Sequence, residues 1–122
     1  MAYREAGAAT MKSISDKAEV SVDFPDKTYM GSFGRESSFD VKVEPDEVLL
    51  RMVRAGDERR EIAIHLHYYL LADILKEIGQ GLAAHDVLDE SHRDALSDGV
   101  AALATSLKGR GARARNNRPR KK

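Results

Sequence analysis

The chain reads as an α+β fold: an antiparallel meander of about five strands, followed by two C-terminal helices packed on one face. Three observations predict it. Apolar residues alternate with polar ones in five short runs between residues 17 and 66. Turn-forming residues separate those runs. After residue 67 the apolar period lengthens from two to about three and a half. Strands first and helices afterwards favour helices segregated to one side of an antiparallel sheet.

The first run, residues 17–24, places Ala18, Val20, Val22 and Phe24 on one face, with Lys17, Glu19, Ser21 and Asp23 on the other. Pro25-Asp26 turns the chain. Residues 27–33 form a weaker strand, interrupted by Gly31, and Gly34-Arg35-Glu36 makes the next turn. Residues 38–43 point Phe39, Val41 and Val43 inward until Pro45-Asp46. Residues 47–54 do the same with Val48, Leu50 and Met52, and Ala55-Gly56-Asp57-Glu58 supplies a hairpin turn. Residues 60–66 return with Ile62, Ile64 and Leu66 inward. Here a helix competes, because Ile62, Leu66, Leu70 and Ile74 are spaced by four. The β-branched alternation and the Gly-Asp turn favour a strand. The outward face carries Tyr29, Phe33, Leu49, Val53 and Ala63 among charges, either a mixed surface or a self-association patch.

Leu71, Ile74, Leu75, Ile78 and Leu82 define the stripe of the first helix, which is expected to fray or end at Gly79 and Gly81. The second helix should begin near Ser91, with Ser91 and Asp94 in capping-box spacing. Leu96, Val100, Leu103 and Leu107 form its stripe, and Lys108-Gly109 should stop it. The expected organisation is a disordered lead-in over 1–15, one α+β domain over 16–107, and a disordered basic tail over 108–122.

The chain is 122 residues long with 42% hydrophobic residues, as expected of one globular domain. It has no cysteine, which excludes disulfides, thiolate metal sites and cysteine nucleophiles. No apolar run reaches the ~18 residues that a membrane span needs. The N-terminal residues lack the apolar core of a secretory signal, so the expected location is cytoplasmic.

Charge is the strongest functional signal. Residues 108–122 hold Lys108, Arg110, Arg113, Arg115, Arg118, Arg120, Lys121 and Lys122, with no acid and no aromatic. All 20 acidic residues and 12 of the 20 basic ones lie before it, a net −8 against +8. Such a block cannot enter a core and commonly contacts polyanions. Arginine grips phosphate with two parallel hydrogen bonds. Without aromatics, no base stacking is available and binding would be nearly blind to sequence. The competing readings are a passive solvated extension and docking of the tail on the acidic body.

His65 and His67 stand two apart on one strand and therefore share a face. They are the candidate metal ligands, with Glu61, a cross-strand Glu47, His85 or His92 to complete the set. A carboxylate or water on each imidazole is the structural alternative. Tyr68-Tyr69, at the passage from strand to helix, suits either a core lid or a binding rim. Gly31-Ser32-Phe33-Gly34 lacks the residues and the helix of a phosphate loop. Ser37 and Ser38 have no histidine base at useful spacing. The carboxylates are expected on solvent faces, with no buried pair for acid–base work.

The sequence therefore predicts a non-enzymatic binding or adaptor domain with no cofactor, whose tail contacts nucleic acid electrostatically and whose body meets a protein partner or itself. The alternatives are a small-ligand or metal domain, or an enzyme, around His65 and His67, and a homodimer built on the outward sheet face.

Overall fold

The computed structural model describes residues 11–56 and 58–117, with side chains up to Gly109. It has six strands and two helices among them: β1 (Lys12–Ser13), β2 (Ala18–Phe24), β3 (Lys27–Phe33), β4 (Ser38–Val43), β5 (Glu47–Arg54), β6 (Arg60–His67), α1 (Tyr68–Ala84) and α2 (Glu90–Asn117). The antiparallel sheet followed by two helices is the fold the alternation predicts. The chain divides into two units, Met1–Glu77 and Ile78–Lys122, with the boundary inside α1.

In the first unit the strands form two sheets. One has the order β1-β4-β5-β6, and the other is the β2-β3 hairpin alone. The five expected strands are all present, but they do not make one continuous meander. The 34–37 turn, closed by the Ser37 N–H donating to the Gly34 carbonyl at 2.9 Å, separates the hairpin from the larger sheet. β1 lies inside the stretch expected to be disordered. It pairs Lys12 with Phe39 and Ser13 with Ser38, and the Ile14 N–H donates to the Ser37 carbonyl at 3.0 Å. A two-residue strand is too short to show a period, which is why alternation misses it.

Residues 60–67 are strand, which decides against the helical spacing. Phe39, Met52 and Ile62 align across the sheet, as do Val41, Leu50 and Ile64, and Val43, Val48 and Leu66. All nine share the face the sequence assigns as inward. The burial is distributed differently. Phe33 and Leu49, expected on the outward face, are 3% and 8% exposed, while Val41 and Val43 remain exposed. Leu49 sits on β5, an interior strand of the sheet, between its register partners Lys42 and His65. The turn after β5 uses Gly56 at φ 128°, where a side chain would be strained.

Both helices run past their expected ends. α1 passes through Gly79 and Gly81 to Ala84. α2 begins one residue before Ser91, because Asp89 is its N-cap: the His92 N–H donates to Asp89 Oδ1 at 2.8 Å. It also continues through Lys108-Gly109 to Asn117. A glycine costs a helix only about 1 kcal/mol, and the surrounding Ala and Arg residues favour it. Among the described residues, no helix is long and apolar enough to cross a membrane.

Candidate functional sites

Two places concentrate chemistry: the polar face of the larger sheet and the cationic end of α2.

On the sheet, a hairpin closed by Pro45-Asp46 sets Asp40 directly opposite Arg51. The next turn sets Glu47 opposite His67, with His65 on the diagonal. Charges at matched positions then meet without further folding. Arg51 binds Asp40 in a two-pronged pair, Nε to Oδ1 at 3.2 Å and Nη2 to Oδ2 at 3.1 Å. Its Nη1 donates to Glu61 Oε2 at 3.2 Å, and Arg59 meets the other Glu61 oxygen at 3.3 Å. Arg51 and Asp40 are 6% and 9% exposed. The expectation that every carboxylate faces solvent is thus corrected. Asp40 is buried, and it is paired with a guanidinium rather than with a second acid. That pairing suits architecture, since a buried cation held by two carboxylates has its charge and its donors satisfied within the sheet.

Glu47 spans both imidazoles of the His-x-His pair. His65 Nδ1 lies 2.9 Å from Oε2, and His67 Nε2 lies 3.1 Å from Oε1. The hydrogen bond from His65 holds the Glu47 carboxyl below its ordinary value. Desolvation opposes that shift, and the charges of His65 and His67 reinforce it. His65 thus meets the carboxylate through a hydrogen bond, and His67 meets it as an ion pair. Of the proposed additional ligands, only Glu47 joins the pair in this unit. Glu61 is committed to Arg51 and Arg59. Among the described residues, no group of three or more His, Cys, Asp or Glu side chains is arranged to hold a metal. In the other unit His92 Nδ1 meets Asp89 at 2.9 Å.

The tyrosines of the corner diverge. The Tyr68 hydroxyl donates to the Glu44 carbonyl at 2.8 Å and pins the start of α1 to the β4–β5 turn. Tyr69 is exposed.

Of the eight cations at the C-terminal end, Lys108 is exposed on α2. Arg110, Arg113 and Arg115 lie on the same helical backbone. Arg118, Arg120, Lys121 and Lys122 fall outside the described residues. What sequence reasoning missed is that this cationic stretch begins as helix, together with the Asp40–Arg51–Glu61 network. The network was readable, because the Pro45-Asp46 turn fixes a register that pairs residue 40 with residue 51.

No family model, curated protein or solved structure matches this chain.

Proposed function

We propose that this protein is a non-enzymatic binding module that attaches to nucleic-acid phosphates through residues 108–122. The observation that carries the reading is the segregation of charge, eight cations without an acid after Leu107 against a net −8 before it. Helical backbone through Asn117 supports it, because a helix spaces its first four cations along a semi-rigid rod and lowers the ordering cost of docking. Binding proceeds by counterion release and charge-assisted hydrogen bonds, with little reading of bases.

Fluorescence anisotropy of labelled single- and double-stranded oligonucleotides tests this, comparing the full chain with one ending at Leu107. The full chain should bind single strands with a log–log salt slope no steeper than about −6, and the shortened chain should not bind. Equal binding by both chains would sink the reading, as would no binding by the full chain near physiological salt.

A further inference from the structure

The second unit has an unmet need for packing. Every described side chain over residues 89–109 is exposed, including the α2 stripe: Leu96 and Leu103 at 46%, Val100 at 54% and Leu107 at 66%. A 28-residue helix, ~42 Å long, carries this stripe. Helices in proteins draw most of their stability from packing such a face.

We propose that α2 pairs antiparallel with α2 of a second copy of this chain, about a two-fold axis passing between Ala101 and Ala102. Two features select that occupant and that direction. The stripe is spaced four, three and four, the alternation of a two-helix seam. This spacing reads the same in both directions. On reversal, Leu96 meets Leu107 of the second copy and Val100 meets its Leu103, with no apolar position left over. Gly99, Ala102 and Ala104 beside the stripe are small enough for the helices to approach closely.

Charge selects the same arrangement. Residues 86–95 hold Asp86, Asp89, Glu90 and Asp94 with one arginine, a net −3. Residues 108–117 hold four cations and no acid. The antiparallel pairing brings residues 108–113 level with residues 90–95 of the second copy, which follow directly on Asp86 and Asp89, so each cationic end meets an acidic one, twice per dimer. A parallel pairing would stack cationic ends together, where like charges repel. This inference is independent of nucleic-acid binding, although the two draw on some of the same cations.

Sedimentation equilibrium of the full chain, at low and at molar salt, provides the test. A dimer is expected whose dissociation constant rises with salt, as screening removes the end-to-end attraction. Leu103→Asp should weaken association by more than about tenfold, since it places a charge at the centre of the seam. The Glu90→Lys/Asp94→Lys double variant should weaken it at low salt but much less at molar salt, a pattern that misfolding would not give. For direction, the chain has no native cysteine, so a spin label at Ser91→Cys is unique. Antiparallel helices separate the two labels by ~30 Å along the axis, whereas parallel helices bring them within ~15 Å. A monomer at all concentrations, a dimer indifferent to Leu103→Asp, or labels within ~15 Å would overturn the proposal.

Discussion

Arg51 and Leu103 are each the wrong kind of residue for where they sit. Arg51 is a cation shut inside the sheet unit, and Leu103 is an apolar side chain open to water on α2. The sheet meets its cation's requirements within the chain. Three strands deliver Asp40, Arg51 and Glu61 to one place, so the buried charge has its partners before anything else binds. The helix offers Leu103 no comparable shelter among the described residues. An element whose neighbours are fixed by hydrogen-bonded register can bury difficult groups by itself, whereas a long helix needs a second surface.

Removing Arg51 is the most damaging way to break that comparison. Arg51→Met leaves Asp40 buried without its guanidinium, and a loss of about 3 kcal/mol is expected in urea unfolding. Asp40→Leu/Arg51→Met removes both charges and should recover much of that loss. If the double variant were as unstable as the sum of the two single ones, the pair would not be coupled, and the loss in Arg51→Met would not come from stranding Asp40.

The second contrast is between two apolar truncations. Met52, buried on the central strand, should cost about 2–3 kcal/mol as Met52→Ala. Leu103→Ala, measured at concentrations dilute enough for a monomer, should change stability by less than about 0.5 kcal/mol. A large loss for Leu103→Ala in a dilute monomer would mean that α2 is sheltered within its own chain.

The same contrast explains which parts of the structure the sequence discloses. Strand alternation is local, and the turn between β5 and β6 fixes their register, so Glu47 could be anticipated opposite the His-x-His strand. The burial of Phe33 and Leu49 was not legible. Alternation assigns a residue to a face, but not how well that face is covered. Helix ends were misread for a related reason. Gly79, Gly81 and Gly109 weaken a helix by a small local amount, which neighbouring residues outweigh. Asp89 rather than Ser91 caps α2 because its side chain reaches the free N–H of His92, and both residues have the right chemistry to do so.

The mildest effect belongs to Glu47, which sharpens the picture of how the sheet handles its exposed charges. Its carboxyl is held below the ordinary value of 4.5, first by the hydrogen bond from His65. A carboxyl whose folded value is depressed contributes stability that is fully present above the unfolded value. That contribution fades as pH falls through the folded one. Wild-type protein should therefore lose stability on acidification below about pH 4.5 more steeply than Glu47→Gln, which has no proton to take up there. His65→Ala should move the Glu47 titration back up, and His67→Ala should move it less, because His65 supplies the hydrogen bond that leads the shift while His67 adds only its charge. Carbon-detected NMR of the Glu47 carboxyl measures all three directly. A wild-type midpoint at or above the ordinary carboxylate value would show that the imidazoles do not hold the charge. The His-x-His strand would then be two independent surface histidines instead of one unit closed by Glu47.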